Sequence, residues 1–165
     1  MNGQHVTQQL KVSLLFFGNE WHGDDGFGYA VFKQLQIPQQ AKEVDLHFCG
    51  CNTMHAWSYM ENSQHCILVD ALKTDQQLPG AVAWYTPESF CHHSPQHLHD
   101  AGIAELIRHI PILSEDGKAP GIELLCVTTN ELEAFTNKLS PSVERAVETA
   151  CQMIQKRLVQ LKEAA

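Results

Sequence analysis

The run Val12-Ser13-Leu14-Leu15-Phe16-Phe17 is apolar almost without alternation, and a strand of that kind must be covered on both faces. A second such run, Cys66-Ile67-Leu68-Val69, ends at Asp70 and leads into the polar stretch from Lys73 to Gln77. Between the two, Phe27, Ala30, Val31 and Leu35 recur at helical spacing until Pro38. Glu43 to Cys49 alternates as a strand nearer the sheet edge, with one face buried, and Thr53 to Met60 reads as a short helix. Further along, Gly80 to Tyr85 reads as a strand and Glu88 to Leu98 as a loop. A helix from Asp100 carries Ile103, Leu106, Ile107 and Ile110 and stops before Pro111, and Ile122 to Val127 is a last strand. Ser140-Pro141 predicts an N-cap followed by proline at the first helical position. The long helix it opens buries Val143, Val147, Ala150, Ile154, Leu158 and Leu161 and leaves Lys156, Arg157 and Lys162 in water. Strands alternating with helices predict an α/β fold: a three-layer sandwich with a mostly parallel, mixed sheet of about five strands and helices on both faces.

The chain has 165 residues with 44% hydrophobic content, which fits one domain over 1–165. Its net charge of -8 repels phosphate backbones and anionic lipid heads, so neither nucleic acid nor a membrane is expected as a partner. The polar start from Met1 to Gln9 lacks a signal-peptide layout, no stretch reaches the roughly 20 apolar residues of a membrane span, and a cytoplasmic location is expected. Six cysteines, without paired C-x2-C spacings, read as reduced thiols. Ten histidines are many for this length, and five fall between His92 and His109.

In open α/β sheets the working crevice lies outside the carboxyl ends of the strands, where the connections change direction. Asp24 and Asp25 follow the first strand, in Gly18-Asn19-Glu20-Trp21-His22-Gly23-Asp24-Asp25-Gly26-Phe27-Gly28, and Asp70 closes a later one. The glycine loop lacks G-x-G-x-x-G and carries aspartates where a pyrophosphate would approach, which argues against a nucleotide. Taken singly, Asp24 or Asp25 reads as a helix-terminal carboxylate and Asp70 as a turn residue. Drawn together, two carboxylates raise each other's pKa unless a cation or proton lies between them. An imidazole must then come from His92, His93, His97 or His99, of which His99, just before the helix at Asp100, fits best; each also reads as a solvated loop residue. Such a set leaves coordination positions open and suits a borderline divalent ion such as nickel or zinc. No G-x-S-x-G elbow, no H-E-x-x-H helix and no cysteine with an obvious base is present. Cys49 and Cys51, at a strand exit, read more simply as inert thiols.

Three segments, Gly18-Asn19 through Gly28, Ile67-Leu68-Val69-Asp70-Ala71, and His99-Asp100-Ala101-Gly102-Ile103-Ala104-Glu105-Leu106, resemble in order and spacing the hydrogenase maturation endopeptidases. Those proteases trim the C-terminal tail of the large subunit of nickel-iron hydrogenases. The resemblance covers most of the chain. It implies that Asp25, Asp70 and His99 form the metal and catalytic site, with Asp24 as a support or cap. Asp25 stands where relatives often carry glutamate, and Cys49-Gly50-Cys51-Asn52-Thr53 where they tend to show a glycine pair.

The resemblance further implies that the nickel belongs to the substrate, the immature large subunit, with zinc or cadmium as other divalent ions the same ligands can take. The three side chains would engage the ion, anchor the tail, and direct a water at the scissile carbonyl, with either aspartate as general base. A nonenzymatic chaperone that binds nickel or the precursor is the competing reading. A hydrolase of small amides that needs no protein partner is a third.

Overall fold

A computed structural model describes residues 10–39, 41, 43–74, 77–93, 102–114, 118–130 and 132–164. Five strands, β1 (Val12–Phe17), β2 (Val44–Gly50), β3 (His65–Lys73), β4 (Val82–Tyr85) and β5 (Gly121–Thr129), form one sheet in the order β2-β1-β3-β5-β4. All pairings are parallel except that of β4 with β5, so the predicted mixed, mostly parallel sheet is present.

Helices cover both faces. On one, α1 (Phe27–Gln34) and α5 (Pro141–Glu163) pack against Leu14, Phe16, Ile67, Val69, Leu125 and Val127. On the other, α2 (Thr53–Met60), α3 (Pro87–His93) and α4 (Ile103–Leu113) pack against Leu15, Phe17, Leu68, Leu72 and Leu124. The strand period of two therefore divides β1 and β3 between two cores, and this is why both read as continuous apolar runs. Among the described residues no helix is long and apolar enough to cross a membrane.

Several sequence expectations need correcting. Strand β3 does not stop at Asp70. It runs on to Lys73 because β5 supplies ladder partners as far as Lys73↔Thr129. The stretch predicted as a histidine-bearing loop opens instead with α3, whose start is fixed by reciprocal bonds: Thr86 N donates to Ser89 Oγ at 3.1 Å and Ser89 N to Thr86 Oγ1 at 3.2 Å. Helix α4 includes Pro111 rather than ending before it, and Ser114 N still reaches Ile110 O at 3.0 Å to close the final turn. Arg157 is not left to solvent; it grips Glu123 through Nε and Nη2, each at 2.8 Å. Edge strand β2 also lacks a fully buried face. Phe48 is partly exposed even though its ring meets those of Tyr29 and Phe32 on α1.

Candidate active site

The connections reverse direction between β1 and β3. After β1 the chain returns through α1 to β2 on one side, and from β2 it crosses through α2 to β3 on the other. These two strands are parallel neighbours, with Phe16 beside Val69, so the loop after Phe17 emerges next to Asp70.

Gly18 leaves β1 with φ +106, a backbone state that suits glycine, and an added Cβ would overlap the Asp25 carbonyl oxygen. Its N–H donates to Gly50 O at 3.1 Å, pinning the exit of β1 to that of β2. The chain then winds through a 3-10 turn, Gly23–Gly26, directly into α1. Gly28, in the first turn of α1, lies so close to the main chain of Phe17 that a Cβ would collide with the Phe17 carbonyl oxygen. Two glycines thus press the aspartate turn onto the end of the strand.

Inside that turn the two aspartates diverge. Asp25 Oδ2 accepts from Asn19 N at 2.7 Å, so the carboxylate bends back over the loop. Asn19 in turn holds the loop, accepting from Trp21 N through Oδ1 at 3.0 Å and meeting His22 Nδ1 through Nδ2 at 2.7 Å. Asp24 is buried and faces the other way. Its Oδ1 accepts from Ser140 N at 2.7 Å, and its Oδ2 accepts from Ser140 Oγ and Thr129 Oγ1, each at 2.9 Å. Asp24 is therefore no helix cap. Ser140 stands at the N-cap position of α5 but makes no side-chain cap bond, because its hydroxyl is turned to Asp24.

Asp70 lies within β3 on the face that bears Cys66, Leu68 and Leu72. Its Oδ1 accepts from Ala71 N at 2.9 Å. Burial pushes its pKa up to about 8; the negative charge of Asp25 adds to the rise and the Ala71 bond opposes it. The protein thus brings the acidic group after β1 within electrostatic reach of the one on β3. Burial and the neighbouring negative charge both favour the protonated form of Asp70.

The nitrogen donors are spread differently. His92 and His93 end α3, and His93 Nδ1 lies 2.6 Å from Ser89 O with its ring edge-on to Tyr85. His97 and His99 lie outside the described residues. Among the described residues no group of three His, Cys, Asp or Glu side chains is arranged to hold a metal. No disulfide joins any of the six cysteines. Cys126, the register partner of Asp70, has its thiol raised well above the ordinary range by burial and then by the Asp70 charge, and burial takes Cys49 up to about 12. Neither offers a thiolate nucleophile at neutral pH.

The model of one protein family, described as hydrogenase maturation protease, matches residues 30–157. The chain belongs to the hydrogenase maturation protease family. Membership makes it a protease, a hydrolase of peptide bonds. No curated protein sequence matches the chain. Among solved structures it is similar to the hydrogenase maturating endopeptidase HybD from E. coli, with TM-score 0.76 and 22% identity over 92% of this chain and 93% of that one. It is similar also to the [NiFe] hydrogenase maturation protease HybD from Thermococcus kodakarensis, with TM-score 0.72 and 20% identity over 90% and 99% of the two chains. The endopeptidase HycI from Escherichia coli follows with TM-score 0.67 and 17% identity over 89% and 90%. At these identities the likeness of structures speaks for the fold, and family membership rests on the family model.

Sequence reasoning gave no task to Asn19 or Thr129, and gave Ser140 only that of an N-cap. Asn19 was legible as a polar residue inside a glycine loop. The contacts of Thr129 and Ser140 with Asp24 carried no local sign, because each spans more than a hundred residues.

Proposed function

We propose that this protease removes the C-terminal tail of a nickel-loaded hydrogenase large-subunit precursor, and that Asp25, Asp70 and His99 recognise the precursor's nickel. One observation carries the reading: the carboxylates of Asp25, after β1, and Asp70, within β3, stand close enough for the charge of one to oppose ionisation of the other. A pair of this kind is an incomplete cation site, since a divalent ion entering between the two relieves their repulsion and displaces the proton from Asp70. The ion is the substrate's own. Docking of a metal-loaded precursor would then complete the cluster, while an empty precursor would meet a proton instead.

With the tail anchored next to the ion, hydrolysis needs a water directed at the scissile carbonyl and a base to take its proton. The water oxygen bonds to the carbonyl carbon, a carboxylate of the pair takes the proton, and the peptide nitrogen leaves with a proton as the C–N bond breaks. None of these steps requires a thiol or a serine, in keeping with the raised Cys49 and Cys126.

The test is incubation of the purified protein with a large-subunit precursor, loaded or not loaded with nickel, followed by mass measurement of the product. Shortening of the loaded precursor alone supports the reading, and Asp25→Asn should abolish it. Comigration without shortening would instead make the protein a precursor-binding chaperone. Turnover of free small amides would favour a general hydrolase.

A further inference from the structure

We propose that Asp24 is a positioning residue for Asp25, holding the aspartate turn against β5 and α5 without taking part in the chemistry; the proposal deepens the reading of the site given above and rests on it. Asp24 and Asp25 are adjacent in the 3-10 turn, so displacement of one backbone unit carries the other with it. Within the turn, Asp25 is held by the bond from Asn19 N to its Oδ2 and by the bond from its own N to His22 O at 3.2 Å. The turn's long-range anchor is the carboxylate of Asp24, which takes three hydrogen bonds from two elements: Thr129 at the end of β5 and Ser140 at the start of α5. Main-chain bonds from Gly23 N to Thr136 O at 2.8 Å and from Thr136 N to Trp21 O at 3.1 Å tether the preceding residues, but they leave Asp25 on the far side of Asp24.

The pattern of donors separates a structural carboxylate from a reacting one. Asp24 Oδ1 meets a backbone N–H, which can only donate, whereas Oδ2 meets two hydroxyls, which can donate or accept. An asparagine placed there keeps its carbonyl oxygen on Ser140 N and turns its amide hydrogens to the hydroxyls of Thr129 and Ser140. Every bond survives with the charge removed. Alanine keeps none of them. Asp24→Asn and Asp24→Ala therefore differ sharply if the residue holds position, and fail alike if its negative charge does the chemistry.

The experiment compares wild type, Asp24→Asn, Asp24→Ala and Thr129→Val for tail removal from a nickel-loaded precursor, and for hydrogen exchange at the Asn19 amide, which reports whether Asp25 is still in place. Asp24→Ala is expected to lower kcat by about a hundredfold with little change in KM, the scale of loss when a reacting group is displaced by about an ångström. It should also speed exchange at Asn19 by about tenfold as the local bond opens. Asp24→Asn should recover both to within about threefold of wild type, since its hydrogen bonds are retained. Thr129→Val, lacking one donor, should move both in the same direction but less, and it carries the test if Asp24→Ala does not fold. Equal loss of kcat in Asp24→Asn and Asp24→Ala would overturn the proposal, as would wild-type kcat and wild-type Asn19 exchange in Asp24→Ala. If wild type itself leaves the loaded precursor whole, the functional reading fails, and the Asn19 exchange comparison alone decides the role of Asp24.

Discussion

Asp25 follows the exit of β1 and Asp70 lies within the neighbouring parallel strand β3, where burial and then the charge of Asp25 raise its pKa to about 8. Removing that charge gives a direct measure of their coupling. In Asp25→Asn, carboxyl-carbon NMR should show Asp70 titrating lower than in wild type, yet still above its ordinary value because burial, the larger cause, is untouched. An unchanged Asp70 titration would mean that the two groups do not interact.

The same group makes stability depend on pH in a defined direction. Its folded pKa of about 8 exceeds the ordinary 3.8, so between those values the folded chain holds a proton that the unfolded chain has lost. Stability from this group is therefore full below about pH 4 and is lost as pH rises through 8. Denaturation midpoints measured from pH 5 to 9 should fall less steeply for Asp70→Asn than for wild type. Parallel curves would refute the elevated pKa.

Glu123 works in the opposite sense. Burial pushes its carboxyl up, but hydrogen bonds from Arg157 and from His65, with the charges of both, outweigh this and hold it below its ordinary 4.5. Its stabilisation is present above pH 4.5 and is lost as pH falls through the lower folded value. Glu123→Gln should cost about 1 kcal/mol near neutral pH, the worth of a partly exposed charge-assisted pair. Urea melts of variant and wild type should converge toward acid.

Gly28 tests whether the aspartate turn must press onto β1. A methyl group there meets the Phe17 main chain, and backbone gives way far less readily than a side-chain tip. Gly28→Ala should destabilise the protein by about 1–3 kcal/mol, as overpacking does, despite the better helix propensity of alanine. A neutral result in thermal unfolding would show that α1 can slide away from the strand.

Much of the fold was legible because each element had a local cause. Val12–Phe17 is apolar on both sides and had to be central, and Pro141 after Ser140 marked where α5 begins. Sequence patterns failed where the cause was distant. The continuation of β3 beyond Asp70 is decided by its partner β5, which no pattern in His65–Lys73 records. The diversion of the Ser140 hydroxyl from capping to Asp24 depends on a residue 116 positions away. By contrast α3 did have a local signal, Thr86-Pro87-Glu88-Ser89, which the abundance of histidine after it obscured. At the site, the glycine loop and Asp70 were visible as acidic groups after strands, but that Asp24 and Asp25 point apart was not. His99 lies outside the described residues.

The clasp around Asp24 also orders events during synthesis. Its donors arise at Thr129 and Ser140, so a growing chain that has emerged only as far as β3 already carries both Asp25 and Asp70 but lacks the partners that hold Asp24. The turn therefore gains its full set of partners only with the final strand and helix.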